Sequence, residues 1–122
     1  MFKIENKVIK VTRGDSGIIN FSIPTEDGLH TFSVGDIVRF KVFKKKDCGC
    51  VEIQKDTEVT EAVTNIDIIL TKEDTKIGDL ISKPVDYWYE IELNPDTEPQ
   101  TVVCYDDDGE KIFRLYPEGD DK

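Results

Sequence analysis

The chain has 122 residues, 38% of them hydrophobic, and a formal net charge of −10, which indicates one folded domain and excludes a disordered acidic chain. The acidic excess lies wholly in residues 62–122, so the surface repels phosphate backbones and we expect no nucleic-acid partner. No apolar run approaches the roughly 20 residues of a membrane span, and the N-terminus "MFKIENKVIK" lacks the apolar stretch of a secretory signal, so we expect no membrane association.

Alternation of apolar and polar residues dominates the rest of the chain, and this period of two is the signature of strands buried on one face. About eight short strands at this spacing predict an all-β sandwich or barrel that spans residues 1–122 as a single domain. The alternating segments lie, in chain order, at residues 9–11, 19–23, 38–42, 51–54, 66–70, 87–93, 101–105 and 111–116.

Turn-forming residues separate these segments. Residues 24–28, 34–36 and 94–96 carry the Pro, Gly, Asn and Asp that turns favour. The pair Asp108-Gly109 is a strong hairpin signal, because glycine accepts the positive φ of a tight hairpin turn.

One stretch departs from the period of two. Thr71 and Asp74 have the spacing of a capping box, which predicts a short helical turn over residues 72–77, ended by Gly78. At the end of the chain, residues 118–122 are expected to form a frayed tail.

The tripeptide Arg13-Gly14-Asp15 matches a well-known cell-adhesion signal. It lies in a connection of about four residues, whereas an adhesive loop should be long and exposed at its tip. Gly14 and Gly17 stand where the chain has to reverse, and Asp15 and Ser16 can bond nearby backbone amides. A structural turn is therefore the favoured interpretation, and a second use of Arg13 as a contact to an acidic neighbour stays open.

Metal-binding and catalytic patterns are weak. Cys48, Cys50, Cys104 and His30 match no zinc spacing, and with no export signal we expect reduced thiols. Residues 106–110 place their acids too irregularly for a calcium loop. The chain lacks a nucleophile elbow and a phosphate-binding glycine loop. We therefore expect no metal, no cofactor and no enzymatic activity.

Trp88 is the residue with the clearest binding potential. Strand side chains alternate, so Tyr87 and Tyr89 should face one side of the sheet and Trp88 the other. A tryptophan exposed beside Glu90 and Glu92 would be an interface anchor. A tryptophan packed under a loop is an equally good interpretation of the sequence.

The order of the motifs resembles that of a family of small immunoglobulin-like structural proteins of tailed phages and prophages of Gram-positive, especially clostridial, bacteria. It is also similar to the N-terminal domain of phage baseplate upper proteins. The segments that carry the resemblance are "IKVTRGDSGIINFSI", "VGDIVRFKVFKK", "IILTKEDT", "YWYEIEL" and "YDDDGEKIFRLYPEG". They cover about residues 3–117, and each is individually weak, so their order is what supports the resemblance.

The resemblance implies an antiparallel immunoglobulin-like β-sandwich and a non-catalytic virion protein, made in the cytoplasm of a bacterial host. A tail or baseplate component that binds other virion proteins is the first interpretation, with self-association left open. A capsid-decorating protein is an alternative, and a carbohydrate or host-surface binding module is another. Trp88, Tyr105 and Arg13 are the interface candidates, and Trp88 or Tyr105 would stack on a sugar in the last case.

Overall fold

The computed structural model describes residues 2–5, 7–44, 51–77, 83–94, 100–103 (backbone only) and 111–118. All regular structure in these residues is β, as the alternation predicts. The strands are β1 (Phe2–Glu5), β2 (Val8–Thr12), β3 (Gly17–Phe21), β4 (Pro24–Thr25), β5 (Gly28–Leu29), β6 (Ile37–Phe43), β7 (Val51–Glu58), β8 (Ile66–Leu70), β9 (Val85–Leu93), β10 (Gln100–Val103) and β11 (Ile112–Tyr116).

Seven strands form one large sheet in the order β1-β2-β11-β9-β6-β7, with β10 also paired to β9. β10 pairs with the C-terminal half of β9 and β11 with its N-terminal half, so the two strands follow each other along one edge of β9. Within the described residues they do not pair with each other. The hairpin signal Asp108-Gly109 lies outside these residues.

Two smaller pairs complete the fold. β3 pairs antiparallel with β8, and β4 pairs with β5 in a two-residue hairpin. In that hairpin Gly28 has a φ of +131°, a conformation that disfavours any residue with a Cβ. The turn predicted for residues 24–28 is therefore confirmed.

The inward faces of the large sheet and of the β3–β8 pair share one core. Val38, Phe40 and Val42 of β6 are fully buried, as are Ile68 and Leu70 of β8. Each set alternates with more exposed residues, because successive side chains of a strand point to opposite faces. This two-layer arrangement is consistent with a β-sandwich.

The prediction of a purely antiparallel sandwich is wrong at one pair of strands. β11 runs parallel to β2, with Phe113 beside Ile9 and Leu115 beside Val11. These four side chains are buried, and burying one face of each strand is compatible with either direction of pairing. The period of two identifies the buried face but not the direction of the neighbouring strand.

The predicted helical turn over residues 72–77 is not a helix; the described part contains hydrogen-bonded turns. The capping contacts themselves form. The Thr71 amide donates to Asp74 Oδ2 at 2.8 Å, and the Asp74 amide is 3.3 Å from Thr71 Oγ1. Only one amide then reaches four residues back, that of Thr75 to the Thr71 carbonyl at 3.4 Å. A single such bond does not overcome the cost of helix nucleation.

Candidate interface on the outer face of the large sheet

β9 places Trp88 on the face of the large sheet that is turned away from the core. Tyr87 and Tyr89 are 4% and 8% exposed on the inner face, whereas Trp88 is half-buried on the outer face. Tyr89 donates its hydroxyl hydrogen to the Lys7 carbonyl at 2.7 Å, and burial raises the pKa of this tyrosine to about 12. The alternation predicted from the sequence is confirmed here, so Trp88 is available on the outer surface.

Apolar neighbours extend Trp88 into a row across the sheet. Phe43 of β6 and Ile112 of β11 lie directly opposite it in the register. Val51 of β7 lies opposite Phe43. On the other side, β11 runs parallel to β2 and Phe113 pairs with Ile9, so the residues that precede them, Ile112 and Val8, also lie side by side. We call this set the Trp88 row; its members are Val8, Ile112, Trp88, Phe43 and Val51. Val51 is 40% exposed and the other four are half-buried.

Four side chains flank the row on the side of Arg114, and a fifth, that of Glu5, lies at the end of the row opposite Val8. We call these five the Arg114 side. Arg114 donates to Asp86 with two nitrogens, at 2.7 and 3.3 Å, and this contact raises the pKa of the arginine. Lys10 Nζ lies 2.8 Å from Glu5, and Lys3 Nζ lies 3.7 Å from the same carboxylate. Three cations thus face two carboxylates.

The opposite flank, which we call the Glu92 side, has the reverse balance. Lys41 Nζ lies 2.8 Å from Glu92 and 3.5 Å from Glu90. Arg39 donates to Asp56 at 2.8 and 2.9 Å, and this bond outweighs burial and lowers the pKa of Asp56. With the exposed Glu58 of β7, four carboxylates face two cations.

Lys41 of this flank also contacts the Trp88 row. Its Nζ lies 5.7 Å from the centre of the Phe43 ring, within the range of a cation–π contact. Burial lowers the pKa of Lys41, but the neighbouring Glu92 and Glu90 raise it by more, so the net pKa lies above its ordinary value. The lysine therefore stays charged beside the apolar surface at neutral pH.

Arg13, the second candidate, is engaged within the chain. Its Nη1 lies 2.6 Å from Glu118 and its Nε donates to the Ile77 carbonyl at 3.2 Å. The Arg13 side chain is only 13% exposed, so its acidic neighbour is an intramolecular one. Glu118, the first residue of the expected frayed tail, is held in this contact, and residues 119–122 lie outside the described ones.

The 13–15 turn depends on a glycine and is held by hydrogen bonds to the Thr75 hydroxyl. Gly14 has a φ of +89°, a region that favours glycine, and its amide donates to Thr75 Oγ1 at 3.0 Å. The Thr75 hydroxyl donates in turn to the Asp15 carbonyl at 2.8 Å. At Gly17, a Cβ would come within van der Waals overlap of the Phe2 ring. The interpretation of this stretch as a structural turn agrees with both features.

The remaining candidates carry no site in the described residues. Tyr105, Cys48, Cys50 and Cys104 lie outside them. His30 packs edge-on against Phe32, with 5.1 Å between ring centres. No group of three or more potential metal ligands lies together in the described part of the chain. That part also contains no helix of the length and apolarity that a membrane crossing needs.

A cleft of about 390 Å³ opens between the two layers. Its walls are mainly apolar, and the Tyr89 hydroxyl inside it already donates to a backbone carbonyl. Its lining is Ile4, Lys7, Ile9, Ile19, Asn20, Phe21, Ser22, Tyr89, Ile91 and Lys111.

The flanking apolar residues of the Trp88 row were not singled out in the sequence. Phe43, Ile112 and Val51 each follow or precede a polar residue in an ordinary strand pattern. Only the register of four strands brings them into one line, and that register is not encoded in the period of two. Apolar residues at the outward positions of several strands are the signal that would have found them.

A comparison with protein-family models found no match, and neither did searches of curated proteins and of solved structures.

Proposed function

We propose that this chain is a non-catalytic structural protein of a tailed-phage virion, most specifically a tail or baseplate component that docks on other proteins through the Trp88 row. The observation that carries the docking role is the outer-face row itself. Five apolar side chains from five neighbouring strands form one line between two charged flanks. Apolar centres with polar rims are typical of protein–protein interfaces.

The phage assignment rests on the order of sequence motifs, and the fold is compatible with it. We propose that the two-layer arrangement is an immunoglobulin-like sandwich whose first strands join the large sheet beside β11. A compact sandwich repeated on a symmetric particle makes weak contacts additive. Such a protein needs an adhesive face more than a pocket, and the Trp88 row supplies that face.

Protein docking is favoured over sugar stacking by the surroundings of Trp88. Trp88 lies between its cross-strand neighbours Phe43 and Ile112, so it belongs to an extended apolar row and is not an isolated aromatic platform. Side-by-side apolar residues widen the surface into one that suits another protein. A blank glycan array is therefore expected for the isolated chain.

The test is incorporation into virus particles. Particles from a producing culture are purified by density gradient, and the chain is quantified in them and located by immuno-electron microscopy. We expect it on the tail or baseplate, and we expect Trp88→Ala to reduce its incorporation strongly. Ile69→Ala is the control, because Ile69 is 54% exposed on the other layer and outside the row.

Three results would contradict the proposal. Absence of the chain from purified particles removes the virion role. Full incorporation of Trp88→Ala removes the docking role of the row. Location on the head would instead assign the capsid-decorating alternative.

A further inference from the structure

The cleft between the two layers is bordered by two strands that do not pair with each other. Among the described strands, β1 pairs only with β2, and β3 pairs only with β8. The Phe2 ring of β1 lies against Gly17 of β3, and further along the same two strands Ile4 and Ile19 line the cleft. The cleft of about 390 Å³ therefore begins beyond this contact.

The floor of the cleft is apolar and narrow. Three isoleucines from three strands contribute to it, and each of them is at most 5% exposed; they are Ile9, Ile19 and Ile91. Ile4 stands at the rim and is 45% exposed. Small-molecule pockets are commonly of this size and lined mainly by apolar side chains. A floor so little exposed admits a slender ligand, and an unbranched alkyl chain has that shape.

Tyr89 brings two lysines to the same cleft. Its hydroxyl donates to the Lys7 carbonyl at 2.7 Å, and its amide donates to the Lys111 carbonyl at 3.0 Å. Both lysines line the cleft, and among the described lining residues they are the charged ones. Lys111 is only 5% exposed, which is uncommon for a lysine. In a chain of net charge −10, the cleft thus has two positive charges that favour an anionic group.

The backbone of Lys7 is in an unusual conformation. Its φ is +68°, in the left-handed region that few residues other than glycine and asparagine adopt. Such a conformation lowers stability and recurs at binding sites. The chain therefore has a strained residue at the cleft, and that residue carries one of its two cations.

We propose that this cleft is a binding site for an unbranched aliphatic carboxylate of about six to ten carbons, the range of chain that a pocket of this size holds. The alkyl chain lies against Ile9, Ile19 and Ile91, and the carboxylate faces Lys7 and Lys111. The site is on the inner side of the large sheet, whereas the Trp88 row is on the outer side. It is thus a second site, and it does not depend on the proposed docking role.

The experiment is isothermal titration calorimetry of the full chain at pH 7 with hexanoate, octanoate and decanoate. We expect saturable binding at one site. Each added methylene should lower the dissociation constant by about fourfold, because it moves from water into an apolar cleft. Acetate has the carboxylate without the chain, and 1-octanol has the chain without the carboxylate, so both should bind more weakly than octanoate.

Variants at Lys7 test the charge separately from the fold. Lys7→Glu should weaken octanoate binding by about fivefold or more, because a repelling charge replaces an attracting one. Lys72→Glu is the matched control, since Lys72 is exposed in the 71–77 turn and should leave the affinity unchanged. Lys7→Gly should also weaken binding but should not lower the free energy of unfolding, because glycine accepts the positive φ.

Three results would overturn the inference. The first is no saturable binding of octanoate or decanoate up to several millimolar. The second is an affinity that does not change with chain length, which would place the alkyl chain outside the apolar cleft. The third is equal affinity of the wild type and the Lys7→Glu variant, or of octanoate and 1-octanol, which would show that the lysines do not bind a carboxylate.

Discussion

At the scale of single residues, Gly14 carries the conformational demand of the 13–15 turn. Its φ is +89°, and a Cβ at this position would meet Lys76 Cε at 3.3 Å. A β-branched side chain has to adopt a left-handed conformation there, and such strain costs on the order of 1–3 kcal/mol.

Gly14→Val is therefore expected to lower the free energy of unfolding by about 2 kcal/mol, measured by urea denaturation. Ser16→Val is the control, because Ser16 is exposed and has no positive φ. Equal stability of the glycine variant and the control would show that the turn accepts a side chain at Gly14.

Asp74 makes stability depend on pH. Burial alone would raise its pKa, but hydrogen bonds from Lys55, at 2.8 Å, and from Thr71 outweigh it and lower the pKa below the ordinary value. The unfolded chain therefore takes up this proton first as the pH falls. The stabilisation is complete above the unfolded pKa of about 3.9 and is lost as the pH falls through the folded pKa.

Asp74→Asn should thus be less stable than the wild type at pH 7, and the gap should close at acid pH. Denaturant unfolding of both proteins between pH 7 and pH 2 measures it, with the exposed neighbour Glu73→Gln as control. A gap that stays constant down to pH 2 would mean that the Lys55 contact contributes nothing.

At the scale of elements, the 71–77 turn acts as a clamp on the 13–15 turn. Thr75 is fully buried, and its hydroxyl accepts from the Gly14 amide and donates to the Asp15 carbonyl. Removing the hydroxyl leaves these two backbone groups without that partner in a buried site, which costs more than the bonds themselves contribute.

Thr75→Val is expected to cost about 2 kcal/mol of stability and to accelerate hydrogen exchange at the Gly14 amide. Thr75→Ser keeps the hydroxyl and should keep most of the protection. Equal exchange rates of the Gly14 amide in the valine and serine variants would show that the Thr75 hydroxyl does not protect this amide and that Thr75 acts through packing alone.

The strands also show how much of the core can be predicted from the sequence. Period-two alternation correctly placed Val38, Phe40 and Val42 in the core, and it put Trp88 on the outer face. It missed Phe32, which is fully buried and bridges Val63, because that residue stands alone between turns. Alternation predicts which face of a strand is buried, but a single buried residue outside a strand produces no alternating pattern.

Which strands pair with each other could not be predicted from the sequence. The extra strands β1, β4 and β5 and the parallel contact of β11 with β2 depend on which segments meet in space. The capping box of Thr71 and Asp74 was read correctly as a set of hydrogen bonds. Its continuation into a helix failed because only the Thr75 amide in this stretch reaches four residues back, and one such bond does not offset the cost of helix nucleation.

At the scale of the whole molecule, one layer has an outward face suited to contact. The Trp88 row depends on the register of β2, β11, β9, β6 and β7 together, so it is a property of the assembled sheet. The two charged flanks have different charge balances, so the two sides of the row are not equivalent. The net charge of −10 opposes close approach of two copies in general.

The chain contains a single tryptophan, so its fluorescence reports on the centre of the row. The most direct test is acrylamide quenching of Trp88 in the folded protein and in the protein unfolded in urea. Our account predicts that acrylamide quenches the folded protein, though less than the unfolded one, because the indole is half-buried on the outer face of the sheet. A folded protein whose fluorescence acrylamide does not quench would contradict it.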